Sequence, residues 1–331
     1  MGRYIIRRLL YLVGVLWVIS VVTFVLFYLV PGDPAQLALP RGSNPVILDQ
    51  TRERMGLNES KPMQYIHFLT RGPHGRGLMR IPPSLGFSFK NQEPVLDTLL
   101  SRLPATASLA GGAAVMWLLM GIPIGILAAT KPRSIRDRVA TFFALTGVSM
   151  PTFFLGIIVL YFLFYRLTLA GLKINGDPIF PTGYVALTEN PVQWFQHLLM
   201  PWFTLALVYA AYYSRMVRGT LLEVLGEDYI RTARAKGLSE RRVTYKHGLR
   251  SALTPVVTLL GLDLGGLLGG AIITERIFTI QGVGALVVGA IANLDLPVVM
   301  GTVLFASFFI VVANIVVDVV YAALDARVRL S

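Results

Sequence analysis

Chemistry needs reactive side chains within reach of one another, and this chain of 331 residues offers few. It has no cysteine, which removes disulfides, thiolate zinc sites, iron–sulfur clusters and cysteine nucleophiles. Its four histidines, His67, His74, His197 and His247, are scattered with no metal-ligand spacing. No Gly-x-Ser-x-Gly elbow occurs, and no apolar run has a central histidine to activate a serine. The chain lacks even a Gly-Lys dipeptide, so it has no phosphate-cradling Gly-x-x-x-x-Gly-Lys-Ser/Thr loop. Any ATP hydrolysis must come from another polypeptide. No catalytic residue, cofactor or metal is expected on this chain.

What remains is one charged stretch and one lone carboxylate. The stretch runs over residues 227–242, with Glu227 and Asp228 where a helix N-terminus favours negative charge and Gly237 where that helix should end. Ser239 is placed to cap a second helix running towards Pro255. At helical spacing Gly226, Ile230, Ala233 and Gly237 share one face, and small residues there permit close approach of another surface. Arg231, Arg234 and Lys236 flank it, able to hold carbonyls or carboxylates of a docked protein. A basic helix resting on anionic lipid headgroups is the other reading, although such a helix would carry Trp, Phe or Leu on its apolar face.

The carboxylate is Asp263, in the middle of an apolar run with Gly266 and Gly270 on its face. An ionised carboxylate at mid-membrane costs about 2.5–3.5 kcal/mol on insertion scales, so that face should look into protein or a water-filled path. Two roles fit: lining a path, in contact with a substrate amino group, or a structural hydrogen bond to a neighbouring span.

The elements that must position these residues are apolar runs. Hydrophobic residues make up 54% of the chain, only 15% is charged, and mean hydropathy is +0.63. An ordinary soluble domain carries about a quarter charged residues, so neither a soluble enzyme nor a disordered chain fits. Runs long enough to cross a bilayer core of roughly 30 Å cover residues 9–30, 104–130, 139–165, 198–214, 252–274 and 298–324, giving six spans. The first follows Arg3, Arg7 and Arg8 but is too long for a signal peptide and lacks a small-x-small cleavage site, so it reads as uncleaved. Gly121–Gly125, Gly261–Gly265 and Gly266–Gly270 have the small-xxx-small spacing of close helix crossings.

The net charge of +12 is mainly an orientation device rather than a nucleic-acid footprint. With the N-terminus inside, 18 of the 30 basic residues fall in residues 1–8, 131–138, 214–251 and 325–331. The short outer loops, 166–197 and 275–297, hold only Arg166, Lys173 and Arg276. Such bias places both termini in the cytoplasm. The layout is therefore a cytoplasmic N-terminus and first span (1–30), an extracytoplasmic segment (31–103) and a transmembrane core (104–331) with the inner loop 214–251. The outer segment should form a small helical layer, with starts at Asn44-Pro45 and Lys61-Pro62, before glycines and prolines from Gly72 to Pro83 impose loops. It either receives a partner or is a passive cap.

The stretch from Asp228 to Gly237, followed by Leu238-Ser239-Glu240-Arg241-Arg242, resembles the conserved cytoplasmic loop of permease subunits of bacterial ATP-binding-cassette importers, in the dipeptide, oligopeptide and nickel branch. Ala233, Ala235 and Gly237 match its small-residue core, Thr232 stands where that loop usually has Glu, and Leu253-Thr254-Pro255 takes the place of its Leu-Pro ending. The same branch is matched, in order, by Pro31-Gly32-Asp33-Pro34-Ala35, Arg102-Leu103-Pro104-Ala105-Thr106, Met150-Pro151-Thr152-Phe153-Phe154-Leu155-Gly156, Glu275-Arg276-Ile277-Phe278, Gly282-Val283-Gly284, Asp295-Leu296-Pro297-Val298-Val299 and the tail from Asp318 to Arg329. Gln281 and Ala326 depart from it, where Pro and Asp-Pro-Arg are usual.

The resemblance implies an all-α, six-span type I importer permease in the bacterial inner membrane. It would pair with a second homologous permease, two ATPase subunits that bind ATP and Mg, and an extracytoplasmic substrate-binding protein, amid membrane lipid and without nucleic acid. Glu227, Asp228, Ile230, Arg231, Ala233, Arg234, Ala235, Lys236 and Gly237 would couple the chain to the ATPase, Ala233 and Gly237 giving the close fit. Di- or oligopeptides are the implied cargo, with nickel chelates or glutathione-like solutes as alternatives. A membrane-bound hydrolase and a scaffold recruiting proteins through residues 223–246 are the rivals from other classes.

Overall fold

A computed structural model of the chain describes residues 2–29, 33, 35–36, 39, 42, 44–70, 77–79, 83–88, 90–174 and 176–324. Pro31, Gly32, Pro34, His74 and the tail beyond Leu324 lie outside the described residues. Helices dominate, in the order α1 (Gly2–Leu29), α2 (Pro45–Arg54) and α3 (Lys61–Thr70), then the hairpin β1 (Phe87–Ser88) and β2 (Glu93–Pro94). Next come α4 (Val95–Thr130), α5 (Ile135–Ser149) and α6 (Thr152–Leu169), which passes through a π-helical stretch at Leu160–Arg166. A second hairpin, β3 (Lys173–Ile174) and β4 (Asp177–Pro178), precedes α7 (Pro191–Leu225) and α8 (Asp228–Ala235). The rest is α9 (Glu240–Ala252), containing a π-helical stretch at Val243–Gly248, then α10 (Thr254–Leu268), α11 (Ile272–Ile277), α12 (Val283–Ala292) and α13 (Leu296–Leu324).

Among the described residues, three helices are long and apolar enough to cross a membrane: α4, α6 and Leu296–Val317 of α13. The pair α9 and α10, bent by 45°, makes a fourth if taken as one span; Leu10–Leu26 and α12 are shorter apolar helices. Two spans differ from the sequence expectation. Residues 139–165 are not one helix: Pro151 follows Met150, whose backbone is extended (φ −87°, ψ 127°) as proline demands of its predecessor, and the chain restarts as α6. Residues 252–274 are also broken, because α10 stops at Leu268 and Gly270 adopts φ +122°. A Cβ at Gly270 would lie 2.5 Å from the Gly284 Cα, so both the conformation and the close backbone approach require glycine. The expected span 198–214 lies in α7, which passes no such test. Its Tyr and Trp residues lower its hydropathy, and its side chains are largely buried in protein, where lipid compatibility matters little.

The chain forms two compact units. The first comprises Met1–Thr106, Leu268–Ile272 and Gln281–Val312. Its core gathers Leu85, Val95, Leu99, Val283, Val298 and Phe305. Asn44 caps α2, its Oδ1 accepting from the Val46 N–H at 3.0 Å, with Pro45 following in the first turn. The buried Ser88 hydroxyl donates to Asp295 Oδ2 at 2.5 Å and accepts from the Asn91 N–H at 3.0 Å, which ties the first hairpin to the turn between α12 and α13.

The second unit comprises Ala107–Leu267, Ile273–Ile280 and Ala313–Ser331. Here α4 lies against α7 through glycines: a Cβ at Gly112 would sit 2.0 Å from the Trp202 indole, at Gly121 3.0 Å from the Ala210 carbonyl, and at Gly125 2.7 Å from the Ser214 carbonyl. Lipid tails are as apolar as leucine, so contact dispersion rather than water exclusion holds such helices together, and it needs this closeness. Trp202 Nε1 donates to the Ser108 carbonyl at 2.9 Å, satisfying the indole inside the contact. α5 packs on the same helix and brings Asp137 to Arg218, with Nε to Oδ1 at 2.6 Å and Nη2 to Oδ2 at 2.9 Å.

Candidate functional site

The candidate site begins where α7 ends. Gly226 closes that helix and Glu227 takes the N-cap position of α8 without a side-chain cap bond. Ile230 is fully buried and Ala233 is 8% exposed; both pack on Val243 of α9, with Val224, Leu225 and Leu238 completing the cluster. Of the small-residue face expected to receive a partner, Ile230 and Ala233 therefore turn into the chain itself, while Gly226 and Gly237 stay exposed. Residues i and i+3 bury one stripe of a helix, so the opposite stripe must face out. It carries Asp228, Arg231, Thr232 and Ala235, all exposed. Arg231 Nη1 lies 3.4 Å from Asp228 Oδ1, a solvent-exposed contact that contributes little to stability.

The end of α8 explains Gly237. Its φ is +75°, and the Leu238 N–H donates to the Ala233 carbonyl at 3.4 Å while the Gly237 N–H donates to the Arg234 carbonyl at 2.9 Å. That pair of bonds with a left-handed residue between is a Schellman stop, and Leu238 supplies its customary apolar contact. Among the described residues nothing lies within 4 Å of where a Gly237 Cβ would be, so conformation rather than crowding explains the glycine. Lys236 is the C-cap and exposed. Arg234 is occupied within the chain: Nε donates to Glu240 Oε1 at 2.8 Å, Nη2 to Glu240 Oε2 at 3.3 Å, and Nη1 to the Leu225 carbonyl at 3.3 Å. Ser239 takes the N-cap position of α9, but its hydroxyl makes no cap bond; its carbonyl accepts from the Val243 N–H at 3.0 Å.

Asp263 is half-buried on α10 and accepts a 2.6 Å hydrogen bond from the Tyr213 hydroxyl on α7. Tyr213 is fully buried beside Trp117, which stacks on Tyr209 at 4.5 Å between ring centroids. This is a hydrogen bond to a neighbouring helix, one of the two roles expected of the carboxylate. Sequence reading missed its partner, whose one signal was the pair Tyr209 and Tyr213, four residues apart on one helix face. It also missed the Asp137–Arg218 pair, in which the Arg218 guanidinium, helped by the Arg133 N–H, holds the Asp137 carboxyl down at about 2. Among the described residues no group of three His, Asp or Glu is placed to hold a metal.

A family model for "Binding-protein-dependent transport system inner membrane component" matches residues 121–330, and one for the N-terminal part of such membrane components matches residues 1–110. The chain belongs to that family. As a permease it is similar to the dipeptide transport system permease protein DppB of Escherichia coli (strain K12), 37% identical over 345 residues and 99% of each chain. The probable D,D-dipeptide transport system permease protein DdpB of the same strain is 38% identical over 94% of this chain and 92% of its own. The probable peptide ABC transporter permease protein y4tP of Sinorhizobium fredii is 34% identical over 99% of this chain and 100% of its own. A structure of the MetNI methionine ABC transporter in an inward-facing conformation matches with a TM-score of 0.51 at 18% identity, covering 70% of this permease and 97% of that chain. The fold is thus that of type I importer permeases, in a multi-pass membrane protein that is a transport subunit rather than an enzyme. ATP hydrolysis belongs to partner subunits.

Proposed function

We propose that this permease forms, with a second homologous permease, the path of an importer of di- or oligopeptides driven by two partner ATPases, and that α8 is where one of those ATPases engages it. The observation that carries the reading is the build of α8: a short helix seated on its own chain by Ile230 and Ala233, presenting Asp228, Arg231, Thr232 and Ala235 outward. Near full-length similarity to dipeptide and peptide permeases supports the cargo. In this reading the chain lies in the inner membrane with six spans and both termini in the cytoplasm, residues 31–103 face the substrate-binding protein, and α8 is on the inner side. Glu227, Lys236 and Gly237 stand at the two ends of that docking helix, and Ile230, Ala233 and Arg234 hold it in place.

Moving a two-state path from 1:99 to 99:1 takes roughly 5.5 kcal/mol of differential binding, which a loosely tethered loop would not transmit. To Asp263, half-buried and hydrogen-bonded by Tyr213, this reading assigns the amino group of a passing peptide. The test is ATPase activity of the reconstituted complex with its binding protein. A dipeptide should stimulate it, whereas stimulation by a nickel chelate or glutathione and not by dipeptides overturns the cargo. In the same complex Asp263→Asn should lower uptake of dipeptides with free amino termini about tenfold relative to N-acetylated ones, the scale of one charge-assisted hydrogen bond. A ratio of free to N-acetylated uptake that is the same in the variant as in wild type leaves Asp263 with a structural role alone.

A further inference from the structure

Arg234 sits on the helix proposed to engage the ATPase, yet its guanidinium is spent at home. Three of its nitrogens reach Glu240 and the Leu225 carbonyl, and those groups belong to different elements: Leu225 ends α7, Arg234 lies in α8 and Glu240 opens α9. A planar guanidinium donates in fixed directions, so engaging a carboxylate fork and a carbonyl together fixes the relative orientation of all three. The carbonyl is one of the orphan acceptors at the C-terminus of α7, where a cation is favoured. Below the clamp lies the apolar cluster of Ile230, Ala233 and Val243, with Val224, Leu225 and Leu238. Beyond it the Tyr229 hydroxyl donates to Ser251 Oγ at 3.2 Å, and the Thr220 hydroxyl of α7 to the Ala252 carbonyl at 3.1 Å, just before the 45° bend into α10.

We infer that Arg234 is a positioning residue: its clamp on Glu240 and Leu225 makes the end of α7, α8 and α9 one rigid block, so a push on the exposed face of α8 reaches α10 through the bend at Leu253. This rests on the reading of α8 as the ATPase-docking helix. The exposed clamp, with Arg234 39% and Glu240 68% accessible, adds little to overall stability; its work is to keep α8 from rocking on its apolar seat.

The test uses the assembled complex in vesicles and measures substrate transported per ATP hydrolysed. Arg234→Gln and Glu240→Gln should each lower that ratio about three- to fivefold while leaving assembly intact, and the double variant should be no worse than either single one, as for two members of one interaction. If Arg234 instead contacts the ATPase, Glu240→Gln leaves the ratio at the wild-type value, and the inference falls. The underlying reading is tested separately: the chain has no native cysteine, so Thr232→Cys alone can be cross-linked to a cysteine on the ATPase. No cross-link overturns α8 as the docking helix. A cross-link together with a wild-type ratio in Glu240→Gln overturns only the clamp.

Discussion

Single residues carry two of the sharpest consequences. Gly237 ends α8 in a left-handed conformation with open space around it. Asparagine tolerates that conformation and a β-branched residue does not. Gly237→Asn should therefore keep most substrate-stimulated ATPase activity and Gly237→Val should lose most of it, in complexes that assemble alike. Equal loss in both would mean that crowding by the partner, not backbone conformation, selects glycine. Asp137 carries the second. Arg218 holds its carboxyl at about 2, below the ordinary 3.8, so the unfolded chain binds the extra proton between those values. A depressed carboxyl contributes its full stability above the unfolded value and loses it as pH falls through the folded one. Thermal unfolding in detergent should show Arg218→Gln less stable than wild type at pH 5, with the gap closing from about pH 4 towards pH 2. A gap that stays constant over that range would mean the pair's charge is irrelevant.

At the scale of elements, packing decides what sequence periodicity leaves open. The adjacent glycines of α4 make the point: a Cβ at Gly111 meets nothing within 4 Å, whereas one at Gly112 falls 2.0 Å from the Trp202 ring. Gly112→Ala should destabilise the permease by about 1–3 kcal/mol through overpacking, while Gly111→Ala should be neutral or stabilising, since alanine is the better helix former. Thermal unfolding of the two variants side by side checks this, and equal midpoints would contradict the α4–α7 contact. Much of the fold was legible: apolar runs marked the long helices, Asn44-Pro45 marked the start of α2, and Gly121–Gly125 marked a close crossing. Two breaks were less so. Pro151 and the Gly269-Gly270 pair interrupt runs whose hydropathy is continuous, because hydropathy counts side chains and a helix break is a backbone event. The face of α8 was half legible for a related reason. Small residues permit close approach of any surface, and periodicity does not say whether that surface is a partner or the chain's own α9. The hydrogen bond from Tyr213 to Asp263 and the clamp from Arg234 to Glu240 depend on tertiary placement and left only weak traces in the sequence.

At the scale of the whole molecule, the proposed function joins a membrane path to a distant motor. In the proposed function the energy of transport enters through a surface, and α8 offers one that is polar and seated on an apolar cluster. The most direct measurement is uptake of a labelled dipeptide by vesicles holding the complete complex, with ATP on the ATPase side and the binding protein on the other. It should be made for wild type and for a variant whose α8 face carries Asp228→Ala, Arg231→Ala and Thr232→Ala. ATP-dependent uptake by wild type, and its loss in the variant with membrane insertion and permease pairing retained, is the predicted result. Uptake at the wild-type rate by the variant, or by wild type without the ATPases, would contradict it.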